Sequence, residues 1–193
     1  MNKLKYIISI VLIYCLSLCA CISANAELTP DTYNTAVENL SAGDIIFPSE
    51  DFDINAAVSR AVGACLVARA IGDTYEYTEV QPVFDDVGKQ HWAIAYIDQL
   101  YKAGIVNGVG ESIYEPDTDM TYEQFIKMLV CYMGLSELAL TDGGYPDGYI
   151  RIAAEEGITC DMEFAAKDKI TQGDALVMLY RAMIYNGYAF GGD

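Results

Sequence analysis

Histidine occurs once in these 193 residues, at position 91, and tryptophan once, at position 92. A single imidazole removes most Ser-His-Asp and Cys-His schemes, since nothing sets His91 beside a nucleophile, and it leaves no histidine cluster for a metal. Basic residues are scarce as well: 11 Lys and Arg stand against 28 Asp and Glu, a formal charge of −17 at neutral pH. Phosphate backbones call for a concentrated positive surface, so nucleic acid is excluded as a partner. Glycine-rich phosphate loops, C-x-x-C spacings and a spaced pair of catalytic carboxylates are all missing. Asp51-Phe52-Asp53-Ile54-Asn55 has the outline of a calcium loop but lacks the Gly at its sixth position and the Glu at its twelfth. The expectation is a protein that is not an enzyme and takes neither cofactor nor metal.

Long apolar runs are limited to one, from Tyr6 to about Ala20, preceded by Lys3 and Lys5 and followed by Ala24-Asn25-Ala26. That order of charge, apolar stretch and small-x-small site is a secretory signal peptide, 1–26, with cleavage after Ala26. The run is short for a membrane-spanning anchor. Lipidation at Cys21 is the other alternative, although Cys19 departs from the usual acceptor motif. Loss of the leader removes Cys15, Cys19 and Cys21 and leaves Cys65, Cys131 and Cys160, an odd number that cannot pair completely within the chain. It also removes two lysines, leaving nine bases against the same 28 acids. Such an acidic exterior keeps an exported protein soluble.

What the sequence does have is repetition. Ser59-Arg60-Ala61, Thr121-Tyr122-Glu123 and Thr171-Gln172-Gly173 each open an apolar helix. The stripes Gly63, Leu66, Val67, Ala70, Ile71; Phe125, Met128, Leu129, Tyr132, Met133; and Ala175, Met178, Leu179, Ala182, Met183 all follow one helical face. A second helical stretch lies upstream of each: Tyr33 to Leu40, Trp92 to Tyr101 and Tyr149 to Glu156, leading to Gly43-Asp44-Ile45, Gly104-Ile105-Val106 and Gly157-Ile158-Thr159. Glycine just past a helix supplies the left-handed residue that ends it. One such unit cannot bury its own stripe, whereas three can by turning their second helices inward. The sequence therefore predicts an all-α domain over 27–193. Three helix-loop-helix repeats, at about 27–72, 83–135 and 140–187, pack as a pseudo-threefold bundle, with a linker at 73–82 that is strand-like from Tyr75 to Val80.

The middle repeat reads Phe84-Asp85-Asp86-Val87, His91-Trp92-Ala93, Gly104-Ile105-Val106-Asn107-Gly108, Tyr114-Glu115-Pro116 and Met120-Thr121-Tyr122-Glu123-Gln124-Phe125. It resembles the S-layer homology family, whose repeat runs roughly F-x-D-V, W-A, G-I-V-x-G, F-x-P, I-T-R-A-E-F. Tyr145-Pro146-Asp147-Gly148-Tyr149-Ile150 with Ile170-Thr171-Gln172-Gly173-Asp174 is similar to a divergent closing repeat. Phe52-Asp53-Ile54-Asn55 before Val58-Ser59-Arg60-Ala61 is similar to a first one.

The helix starts are the expected working parts, because unsatisfied amides and the positive dipole end favour an anion there. Ser59, Thr121 and Thr171 also read as plain N-caps, with Gln124 at capping-box spacing from Thr121. Arg60 is a cation where the dipole disfavours one, which suggests an anionic partner, either a ligand or a nearby acid such as Asp51 or Asp53. The resemblance implies that Arg60 matches the arginine that contacts carboxylate-bearing sugars of a secondary cell-wall polymer. The matching positions elsewhere are Tyr122 and Gln172, so two of three expected cationic contacts are missing. Trp92 is either groove lining, as the resemblance implies, or a core anchor beside Ile97 and Leu100. Asp86 and Val87 read as a helix-leading acid and a staple residue, or as groove lining. Arg69 and Arg181 share one position and are expected to bridge repeats by salt links. The candidate binding set is Arg60, Ser59, Trp92, Asp86, Thr121, Tyr122, Gln124, Thr171, Gln172 and Asp174. The resemblance implies a secreted protein of the cell wall or cell surface that anchors itself non-covalently to an anionic cell-wall polysaccharide, possible partners including other envelope proteins. The competing reading is a degenerate module of the same fold that has lost polymer affinity and serves structure or protein interaction, which the Tyr122 and Gln172 replacements favour.

Overall fold

The computed structural model describes residues 30–46, 53–72 and 81–190; the leader and the strand-like stretch 75–80 lie outside them. The described residues form seven helices and no strand: α1 Pro30–Ala42, α2 Arg60–Ile71, α3 Ile94–Lys102, α4 Tyr122–Tyr132, α5 Ser136–Thr141, α6 Asp147–Glu155 and α7 Gln172–Tyr185. The fold is all-α, as the periodicity predicts. The short α5, between the second and third units, was not foreseen.

Helices α2, α4 and α7 touch one another at the centre, and each carries an outer helix that belongs to the following unit. Thus α3 packs on α2, α6 on α4, and α1 on α7, so the set closes on itself. The predicted stripe of α7 is fully enclosed, with Ala175, Met178, Leu179, Ala182 and Met183 at 0% exposure. In α4, Phe125 and Leu129 are buried together with Ile126 and Val130, because a central helix has neighbours on more than one side.

Three backbone hydrogen bonds join the segments that enter the central helices: Val58 N–H to Ile170 O (3.2 Å), Met120 N–H to Val58 O (2.8 Å) and Ile170 N–H to Met120 O (3.3 Å). Around this triangle each central helix offers its first two amides to carbonyls of the next unit. Arg60 and Ala61 donate to Thr118 and Pro116, Tyr122 and Glu123 to Asp168 and Ala166, and Gln172 and Gly173 to Ala56 and Ile54. The helix starts are therefore consumed by the ring. The expectation that their free amides hold a ligand anion is overturned, because carbonyls remote in sequence have already satisfied them.

Two local expectations also change. The left-handed residue after α1 is Asp44 (φ 57°) and not Gly43, whereas Gly104 and Gly157 fill that role after α3 and α6. Arg69 and Arg181 each hold a loop of their own unit. Arg69 donates to Asp44 O (2.6 Å), and Arg181 grips both carboxylate oxygens of Asp161 (2.6 and 2.8 Å), each reaching the loop that precedes its own helix.

Candidate functional site

Arg60 opens α2 with its side chain turned toward the second unit. Only 6% exposed, it donates from Nε to Tyr114 O (2.7 Å) and lies over the Tyr114 ring, 4.5 Å from its centroid. Tyr114 Oη donates in return to Arg60 O (3.3 Å). No carboxylate among the described residues forms an ion pair with Arg60. Behind this pair Asp86 accepts from the amides of Tyr114 (2.9 Å) and Glu115 (2.6 Å). Asp86 therefore does not lead α3, which begins at Ile94. It fastens the turn whose carbonyl holds Arg60, and Glu115 in that turn has φ 58°.

Arg60 borders a cleft of about 580 Å3 whose walls come from all three units. The second unit supplies the loop Ile105 to Val109, Tyr114, and the face of α4 bearing Glu123, Gln124, Lys127 and Met128; beyond it stand Leu140, Tyr145, Tyr149 and Lys167. Gly108 permits this loop: a Cβ there would stand 2.5 Å from Ile113 O and 2.8 Å from Gly110 O. Three of the chain's 11 basic residues, Arg60, Lys127 and Lys167, thus meet in one place on a strongly acidic protein. The one carboxylate among them, Glu123, is buried; it pairs with Lys167 and accepts from Tyr145 Oη (2.8 Å). The Tyr145 phenol is pushed well above its ordinary range by burial first and then by this carboxylate. With its amide oxygen turned toward Lys127, Asn107 accepts from Nζ at 3.0 Å.

Of the ten candidate residues, only Arg60 and Gln124 line this cleft. Ser59 and Thr171 are N-caps that accept from Val62 N and Asp174 N, both at 3.2 Å. Asp174 is bound to Thr171 and to Tyr33 Oη, and the Gln172 amide belongs to the ring. Gln124 Oε1 accepts from the Thr121 amide (3.0 Å), while Thr121 Oγ1 is buried without a partner. Tyr122 is 4% exposed and stacks on Phe164, ring centroids 5.0 Å apart. This is the Arg60–Tyr114 relation repeated one unit on, with an aromatic ring in place of the guanidinium. Trp92 is 52% exposed, so it is no core anchor, and it lies beside His91 and Tyr96 rather than in the cleft. Ile97 and Leu100 themselves are buried.

Sequence reasoning missed Lys127, Lys167, Glu123, Tyr145 and Tyr149. One signal was present: Glu123 stands where the other two units have Ala61 and Gly173, and Lys127 follows it by one turn, on the same helix face.

The loop 105–109, Tyr114 and Gln124 all fall within residues 83–126, which match the S-layer homology domain model. In that segment the chain carries the S-layer homology signature. Among its relatives, a cell surface protein of Thermoanaerobacter kivui is 29% identical over 195 aligned positions, covering 95% of this chain and 25% of that protein. An uncharacterized cell wall amidase of Bacillus anthracis is 31% identical over 83 residues, 43% of this chain and 15% of that protein. The middle cell wall protein of Brevibacillus brevis is 24% identical over 135 residues, 69% of this chain and 12% of that protein. The chain thus spans a quarter or less of the length of these relatives. The family match and these relatives place the protein at the cell surface or cell wall.

Proposed function

We propose that the Arg60 cleft binds an acidic saccharide of the cell wall and that the protein is exported, by way of the leader at 1–26, to act as a non-catalytic attachment module. The observation that carries this reading is the environment of Arg60. A buried guanidinium is costly unless compensated, and here a carbonyl and an aromatic face hold it while its charge is left without a described carboxylate partner. Guanidinium geometry suits a carboxylate bidentately. Lys127 adds a second cation, and the exposed Tyr145 ring supplies an aromatic face beside them. The anion is met by side chains, not by helix amides.

Co-sedimentation with purified sacculi, before and after the acid-labile polymer is stripped, tests this. The mature protein is expected to pellet only with unstripped sacculi, and Arg60→Ala and Lys127→Ala to remain in the supernatant. Lys127→Ala changes a half-buried surface residue and controls for misfolding of the Arg60 variant. Pelleting that ignores both substitutions would overturn the assignment of the cleft.

A second reading, a module of the same fold without polymer affinity, is favoured by one observation: the Tyr122–Phe164 stack fills the place that Arg60 and Tyr114 occupy at the neighbouring junction. Failure of the unaltered protein to pellet with intact sacculi would decide for it.

A further inference from the structure

Glu123 is an odd residue to find in a cleft that gathers cations. It is 3% exposed, stands at a position that is alanine or glycine in the other two units, and takes its partners from the third unit. Lys167, whose side chain is 81% exposed, reaches in from the loop before α7, and Tyr145 reaches in from the segment before α6. A buried carboxylate of this kind contributes little to stability by itself, since its desolvation offsets most of the attraction to one mobile lysine. Its position affects the cleft more than the fold.

Resting on the reading of the cleft as an acidic-saccharide site, we infer that Glu123 is its specificity-determining residue, shifting preference toward ligands with a single, isolated negative charge and away from those carrying two charges on one group. The reasoning is electrostatic. Glu123 offsets one of the three cations, so that a ligand meets a net charge nearer two than three. Toward a singly charged carboxylate the repulsion from Glu123 is that of one unit charge. A phosphate monoester, carrying roughly −1.5 to −2 at neutral pH, meets the same repulsion with nearly twice the charge. Discrimination by a built-in like charge is a common route to specificity, because it penalises the wrong ligand without having to strengthen the right one.

The test uses two probes of one ring size, methyl glucuronide and glucose 1-phosphate, titrated into the mature protein while the amide resonances of the cleft are followed by nuclear magnetic resonance. Glu123→Gln, which keeps shape and can still accept from Tyr145, is expected to move the preference several-fold toward the phosphate. Glu123→Ala, which restores the small residue of the other units, should do the same. Lys167→Ala, which leaves the carboxylate uncompensated, should weaken the phosphate more than the uronate. If the uronate binds and both Glu123 variants keep the original preference within about twofold, well under the scale of one unit charge at close range, the inference is overturned while the cleft assignment stands. If neither probe moves a cleft resonance in the unaltered protein, the cleft assignment itself fails and takes the inference with it.

Discussion

Replacing Arg60 should cost stability as well as binding, and by an amount the geometry allows to be worked out. Its Nε donates to Tyr114 O at 2.7 Å from a site only 6% exposed, and a hydrogen bond from a charged donor contributes about 1.5–3 kcal/mol. The guanidinium over the Tyr114 ring at 4.5 Å adds about 0.5–2 kcal/mol. Against these, removing a cation from the first turn of α2 relieves about 0.3–1 kcal/mol of unfavourable dipole interaction. The balance is a loss of roughly 2–4 kcal/mol for Arg60→Ala. In a domain of this size each kcal/mol moves the melting temperature by about 2–4 °C, so the midpoint should fall by roughly 5–15 °C. Arg60→Lys keeps the charge but has no planar fork to lie on the ring and no Nε to reach the carbonyl, and it should recover less than half of the loss. The assay is thermal unfolding followed by circular dichroism at neutral pH, repeated in urea to confirm the order. An alanine variant that melts within about 1 °C of the unaltered protein would refute the argument, since Arg60 would then be bound to nothing that matters in the folded chain.

Other outcomes follow from the same packing. Gly108→Ala should destabilise by about 1–3 kcal/mol in urea, because its Cβ would collide with two backbone carbonyls and with the Phe84 ring at 2.9 Å, and the cleft loop would have to shift. Tyr122→Arg would set a guanidinium over Phe164 as Arg60 lies over Tyr114; the variant should fold and show increased retention on unstripped sacculi, a result that equal retention would contradict. Alkali should unfold the protein between about pH 10 and pH 12. Burial raises the Tyr114 phenol from 10.0 to about 12, so the unfolded chain loses that proton first and stability falls as pH rises through this window. Tyrosinate absorbance and circular dichroism should change together there, whereas titration of Tyr114 in a chain that keeps its helical signal would count against the burial argument.

The helices were legible because their information is local. Apolar spacing marks α2, α4 and α7, and the hydroxyl residues that cap them can be read directly from the chain. The use of their first amides was not legible: the carbonyls of Thr118, Asp168 and Ala56 lie far away in sequence, and nothing near Arg60, Tyr122 or Gln172 announces them. A free helix start and one already satisfied by another unit look the same in one dimension. Asp86 was misread for the same reason, since its partners are 28 and 29 positions downstream. Arg60 was found because a cation in a first turn is locally anomalous. Lys127 and Lys167 are ordinary surface lysines until the third unit is folded against the second, and Trp92 was misjudged because size alone does not bury a ring.

The closed circuit of units has a mechanical consequence. Because α1 packs on α7, the element nearest the leader and the last helix meet at one seam. A cargo pulling on the C-terminal side of α7 loads that seam first, while the triangle of bonds between Val58, Met120 and Ile170 lies one layer further in. Tension would therefore strain the contact between α1 and α7 from the outside before it reached the cleft that all three units line.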